Sequence, residues 1–398
     1  MPKIVFILQL LLPFYAFGQY GDAPILEYQR PCHHEVVLLG DNINSDAPNL
    51  APVRYGGKLY FSSYVFDGKH GKKVGRVFSA LSEGPPLPFE KAPKEPGLNM
   101  AYTAITILGR RVYYTVYRED DKGKVTKSEI RYRDKNYHGK WGPSSRLPKA
   151  FGLSGCIAAQ PATGIFRHNR KEVLFFVSDR AGGKGKLDIW ASEIERDGTF
   201  GKPYNLPFNT AEDDVSPYFD IESQTLFFSS KGHRSLGGFD VFRSHFDPGK
   251  KWSAPKNLGR PINSYFDDLF FTYHGSTNES YFSSDRPNNT CPEASPRCRD
   301  FDIYRVYLKP TLKVYMYNKS DNSSLAGCNV ELADTETGEV LRTYLDIEGN
   351  FASFGLEPGK SYQIIVSKEG YYPFFGGVNV GRKNVFRPVL REVYLQKM

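Results

Sequence analysis

A short aromatic-centred run recurs five times along this chain of 398 residues. It reads Leu59-Tyr60-Phe61-Ser62-Ser63, then Val112-Tyr113-Tyr114-Thr115-Val116, then Leu174-Phe175-Phe176-Val177-Ser178. It returns as Leu226-Phe227-Phe228-Ser229-Ser230 and as Ser280-Tyr281-Phe282-Ser283-Ser284. Self-similarity at a fixed period constrains a fold more than local propensity does, because each unit must bury its apolar face against its neighbours. The units contain short alternating runs, and no long stretch carries apolar residues at helical spacing, so each unit reads as four strands. In the last three units the first strand is typified by Ser216-Pro217-Tyr218-Phe219 and the second by the recurring run. A glycine-rich turn follows, Gly182-Gly183 or Gly237-Gly238, where positive φ is expected. The third strand is Asp188-Ile189-Trp190, Asp240-Val241-Phe242 or Asp302-Ile303-Tyr304, and the fourth contains Pro203-Tyr204-Asn205-Leu206 or Pro255-Lys256-Asn257-Leu258-Gly259. Four-stranded units repeated radially make a β-propeller.

The number of blades turns on one further match. Leu258-Gly259-Arg260-Pro261-Ile262-Asn263-Ser264 ends the fourth unit, and Leu39-Gly40-Asp41-Asn42-Ile43-Asn44-Ser45 copies it near the N-terminus. The fifth unit has no such ending of its own. Glu35 to Leu39 therefore supplies the outer strand of the fifth blade, beside Asp302 to Tyr304, and the ring closes at five. The alternative is a six-bladed ring with one degenerate blade.

After Pro310 the period stops. Some seven short strands in under 90 residues, with turns at Asp334-Thr335-Glu336-Thr337-Gly338 and Asp346 to Asn350, suggest a β-sandwich. The expected organisation is a signal peptide over 1–18, a propeller over 19–309 and a sandwich over 310–398. The signal peptide is read from Lys3, the apolar run Ile4 to Leu12, and Ala16-Phe17-Gly18 before Gln19. No second apolar stretch is long enough to span a bilayer. Export places the protein in the periplasm or at the outer membrane, and makes a nucleic-acid partner improbable despite a net charge of +8.

The propeller resembles the WD-like repeats of TolB-like proteins, and more closely the envelope propellers of Bacteroidetes-type bacteria. Three runs carry the resemblance: Asp213-Asp214-Val215-Ser216-Pro217-Tyr218-Phe219, Ser178-Asp179-Arg180-Ala181-Gly182-Gly183, and the Gly-Gly-Phe-Asp-Val-Phe run from Gly237. The first two units depart from it. Ser-Asp-Arg becomes Ser63-Tyr64 and Val116-Tyr117, and the Asp before the third strand becomes Arg76 or Glu129. The tail resembles the carboxypeptidase regulatory-like domain, a transthyretin-like sandwich, through Gly327 to Leu332, Asp346 to Phe351, Leu356-Glu357-Pro358-Gly359 and Gly370-Tyr371-Tyr372-Pro373. Such domains are accessories, and the related assemblies are outer-membrane or secretion-associated. The resemblance implies a non-enzymatic envelope scaffold that binds envelope proteins. A carbohydrate-binding module and a degenerate propeller hydrolase are the alternatives.

A search for chemistry yields no catalytic, cofactor or metal residue. The nearest run to a nucleophile elbow, Gly152-Leu153-Ser154-Gly155-Cys156, ends in Cys where Gly is needed. Asp213-Asp214 and Asp267-Asp268 recur at one phase of the repeat and read as structural. Cys32-His33-His34 cannot share a zinc ion as strand neighbours, because their side chains point to opposite faces. Of five cysteines, Cys291 and Cys298 flank a short loop and are expected to pair, while Cys156 and Cys328 read as buried thiols. Residues that break the repeat are the expected recognition surface. They are the basic loop of the first unit, with Lys69, His70, Lys72 and Lys73, and the cysteine-bounded loop of the fifth, with Arg297.

Overall fold

The structure is a computed structural model. It describes residues 35–398, except 68–71, 82–83, 90–96, 121–123, 248, 250, 276, 288–299, 346–349, 358 and 382–388. Every regular element among the described residues is a strand, and no helix there is long and apolar enough to cross a membrane. The chain divides into two compact units, one over 36–274 and 280–306, the other over 307–398 with 275–279.

The first unit contains five four-stranded sheets. Four are built consecutively in sequence, and the fifth takes its outermost strand, Glu35–Leu38, from the start of the described chain. That strand lies beside Asp302–Tyr307, so the ring closes at five. A closed ring leaves no long sheet edge for another chain to extend. The innermost strands are Leu50–Tyr55, Asn99–Ile105, Ala159–Phe166, Asp214–Asp220 and Asp268–His274, each packing on the next around the axis.

The recurring aromatic runs are the second strands, and they form the layers between blades. Phe175, Phe176, Phe227, Phe228 and Phe282 are all but fully buried. Phe227 meets Phe271 of the next blade at a ring separation of 5.0 Å, and Phe175 meets Phe219 at 5.3 Å. Burying such a side chain contributes about 1.5–3 kcal/mol, so alternating aromatics explain why the run repeats.

One feature of the ring carries no glycine signature, although proline follows it in three of the five blades, as Pro52, Pro161 and Pro217. Every inner strand holds a non-glycine residue at positive φ, near +55°: Ala51, Tyr102, Gln160, Ser216 and Phe270. Register shifts mark a bulge there in the first four blades. The left-handed conformation costs roughly 1–2 kcal/mol for a non-glycine residue. Hydrogen bonds between blades offset it. The backbone N–H of Tyr102 donates to Ser62 Oγ at 2.9 Å, that of Gln160 to Thr115 Oγ1 at 3.0 Å, and that of Ser216 to Gln160 Oε1 at 2.7 Å. Tyr102 and Phe270, from blades that are not ring neighbours, stack with centroids 5.2 Å apart and so meet across the centre.

The glycine-rich turns correct one expectation. Gly182 has positive φ (+92°), but Gly237 does not. Gly237 is needed for close approach instead: a Cβ there would come within 2.5 Å of the Tyr265 carbonyl carbon.

The second unit has a three-stranded and a four-stranded sheet around one apolar core that includes Val314, Met316, Cys328, Val330, Phe354, Ile364 and Val393. These are the seven strands expected of the tail. Thr311–Asn318 pairs parallel with Val389–Leu395, so the last strand returns beside the first.

Candidate functional site

The residues that recur in each blade are held by the fold itself. Asp188 accepts the backbone N–H groups of Lys184 and Gly185 and the Asn205 side-chain amide; Asp240 does the same with Leu236, Gly237 and Asn257. Arg180 donates to the carbonyls of Ala150 (2.6 Å) and Phe151 (2.7 Å), and lies over the rings of Phe176 and Trp190. Arg286 repeats this with Pro261, Ile262, Phe282 and Tyr304, and adds an ion pair to buried Asp268 at 2.5 Å. Asp213, Asp267 and Asp285 also serve the rim. Lys231 N–H donates to the Asp213 carbonyl, Phe239 N–H to Asp267 Oδ1, and Asp267 N–H to Asp285 Oδ1. Burial pushes the Asp213 carboxyl up to about 6, against the pull of Lys231. Burial and then the neighbouring Asp267 push Asp285 up to about 7. Asp267 and Asp285 thus engage the rim through their carboxylates, Asp213 through its backbone carbonyl.

The first two blades lack these devices, and the open space lies at the second. A cleft of about 510 Å³ is lined by Lys124 to Glu129 of the second blade, by Gly152 to Ile157, and by Asp179 at the end of a third-blade strand. That volume suits a small-molecule ligand. The lining is polar. Glu129 Oε1 lies 2.7 Å from an Arg131 guanidinium nitrogen and 3.3 Å from Arg146 Nε. Lys127 Nζ reaches Glu129 Oε2 only at 3.9 Å. Asp179 Oδ1 accepts the Ile157 N–H at 2.6 Å, which fixes the loop to the third blade. Ser128 Oγ donates to the Ala158 carbonyl, and Gly155 turns the loop with φ of +78°.

Glu129 occupies the repeat position held by Asp188 and Asp240 in later blades. There the shorter side chain is consumed by its own turn; the longer Glu129 turns to two arginines and the cleft. The run Gly152 to Cys156 lines the same cleft, without the strand-to-helix setting of a nucleophile elbow. Neither was singled out as a site from the sequence. The signal available was that both break the repeat.

Cys328 is a buried thiol, as expected, its Sγ donating to the Leu325 carbonyl, whereas Cys156 is only half-buried, because its loop borders the cleft. Cys291, Cys298, Arg297, Lys69 and His70 lie outside the described residues, as do Cys32, His33 and His34. Lys72 and Lys73 open a strand, opposite Asp67 and Phe66. The expected partner patch and the Cys291–Cys298 pairing therefore fall largely outside the described residues. Among the described residues no cluster of His, Cys, Asp and Glu is arranged to hold a metal ion.

No family model matches the chain, and no curated protein does. Solved structures do. A GH43 endo-arabinanase from Bacillus licheniformis is 13% identical, with a TM-score of 0.42, over 67% of this chain and 95% of that one. An arabinanase from Bacillus subtilis is 12% identical, with a TM-score of 0.42, over 67% and 93%. An exo-β-1,3-galactanase from Clostridium thermocellum is 12% identical, with a TM-score of 0.44, over 87% of each chain. The five-bladed ring itself is read from the order of the sheets, not from these likenesses. The neighbours are named as glycoside hydrolases. The expectation of a non-enzymatic scaffold runs against these names and is corrected here; the propeller-hydrolase alternative agrees with the names better.

Proposed function

We propose that the propeller is carbohydrate-active, taking a saccharide into the cleft between its second and third blades. The observation that carries this is the cleft itself: about 510 Å³, polar, with the carboxylates Glu129 and Asp179 in its lining. Glycosidic hydrolysis uses two carboxyl groups. One protonates the leaving oxygen as the C–O bond breaks, and the other activates water or attacks the anomeric carbon. Glu129, held by Arg131 and Arg146, suits the second role. Asp179 is the group available for the first. It is exposed, without the apolar pocket that favours a proton donor, so turnover is expected to be slow. This is the degenerate-hydrolase reading, with saccharide binding retained.

The experiment is reducing-sugar release by the full chain from arabinan, galactan and other polysaccharides, beside calorimetric binding of their oligosaccharides. Binding with slow release, the release falling about 100-fold or more in Glu129→Gln, is expected. Neither binding nor release from any of them overturns the reading.

We infer further that the chain is exported and that its tail is an accessory of the carboxypeptidase regulatory-like kind. The leader-like sequence supports the first. The two sheets around one core support the second.

A further inference from the structure

We propose that the cleft selects acidic saccharides, those whose rings carry a carboxylate or sulfate. This rests on the cleft being a saccharide site, and names the class of sugar it takes.

The argument is one of charge. Two lysines, Lys124 and Lys127, line the cleft together with two carboxylates, Glu129 and Asp179. The carboxylates do not balance the lysines, because each is backed by guanidinium groups. Arg131 and Arg146 stand on Glu129 at 2.7 and 3.3 Å. Arg180 follows Asp179 in the chain and lies within its electrostatic reach. Asp120 adds a third carboxylate nearby, accepting the Lys124 backbone N–H at 2.8 Å. Five cations thus stand against three carboxylates. Both lysines line the cleft and are exposed; Arg146 is exposed too, but is engaged with Glu129. Lys127 makes only a loose approach to Glu129, at 3.9 Å. A cleft lined by an excess of one sign concentrates ligands of the other and binds them in a salt-dependent way. A neutral sugar would gain nothing from either lysine's charge, whereas a uronate or sulfate can bridge them.

The test is calorimetric binding of the full chain to oligogalacturonate, to a sulfated galactan oligosaccharide and to neutral galacto- and arabino-oligosaccharides, at 20 and 200 mM salt. At least one acidic oligosaccharide is expected to bind about tenfold or more tightly than the neutral ones at low salt. That preference should shrink at high salt and fall close to one in the double variant Lys124→Gln, Lys127→Gln. Both lysines are exposed, so an unchanged melting temperature will show that the variant is folded, and Lys127→Glu gives an independent reversal of sign. Equal or tighter binding of neutral oligosaccharides overturns the acidic preference while leaving the saccharide site standing. An acidic preference that survives in both variants overturns the assignment to these lysines. Absence of binding by every oligosaccharide overturns the underlying reading as well.

Discussion

Asn44 holds both backbone groups of Ile303: the Ile303 N–H donates to Asn44 Oδ1 at 2.7 Å, and Asn44 Nδ2 donates to the Ile303 carbonyl at 3.0 Å. Asn263 does the same to Val241, and Asn209 to Ile189, within continuous chain. The first described segment therefore completes the fifth blade with the same bonds that complete the third and fourth. Asn44→Ala removes the acceptor of the Ile303 N–H, at a cost of about 1–3 kcal/mol, while the Ile303 carbonyl keeps the Leu39 N–H. A lowered denaturation midpoint, with hydrogen exchange at Ile303 rising more than at Val241, checks it.

The Ser-Asp-Arg turns give a second prediction. Arg286 binds two carbonyls and is the ion partner of Asp268, whose side chain is fully buried. Arg286→Ala strands that carboxylate and should destabilise the propeller by about 3–5 kcal/mol. Arg180→Ala, with no ion pair to a buried carboxylate, should cost less. Urea titration of the two variants ranks them.

Much of this architecture was legible in the sequence, for a physical reason. A repeat writes the same packing and hydrogen-bonding solution several times, so blade number and the closure by the segment from Glu35 to Ser45 could both be read by comparison within one chain. The positive-φ bulges could not. Ala51, Tyr102, Gln160, Ser216 and Phe270 share no side-chain type, since what they share is a backbone conformation held by the neighbouring blade. The cleft was missed for the converse reason. Glu129 looks like a conservative departure from Asp188 and Asp240, and its extra methylene matters only because Arg131 and Arg146 are there to receive it.

Tyr102 supplies a prediction of opposite sign. Its hydroxyl is buried at the ring centre without a hydrogen-bond partner, and burial, then Glu119, raise its pKa well beyond the ordinary tyrosine range. Tyr102→Phe keeps the stack on Phe270 and removes an unsatisfied donor. It should be neutral or stabilising by about 1 kcal/mol. A loss of thermal stability in calorimetry would contradict this account of the centre.

The rim carboxylates set a pH dependence. Asp213 and Asp285 have folded-state pKa values of about 6 and about 7, above the ordinary 3.8. The folded state therefore binds their protons more tightly than the unfolded state does. Their contribution to stability is fully present below about pH 4 and is lost as pH rises through about 6 to 7. Between pH 5 and 8 the melting temperature should fall, and Asp285→Asn should flatten that slope. A slope unchanged in the variant would show that Asp285 does not titrate there.

Cys156 lines the cleft and reports on its occupancy, while Cys328 is sealed in the tail core. The most direct test of a saccharide in the cleft is therefore the rate of Cys156 alkylation by iodoacetamide, followed by peptide mass spectrometry with and without oligosaccharide. The account predicts that a bound oligosaccharide slows Cys156 labelling severalfold, with Cys328 unreactive throughout. An oligosaccharide that binds the chain and leaves the Cys156 rate unchanged would contradict it.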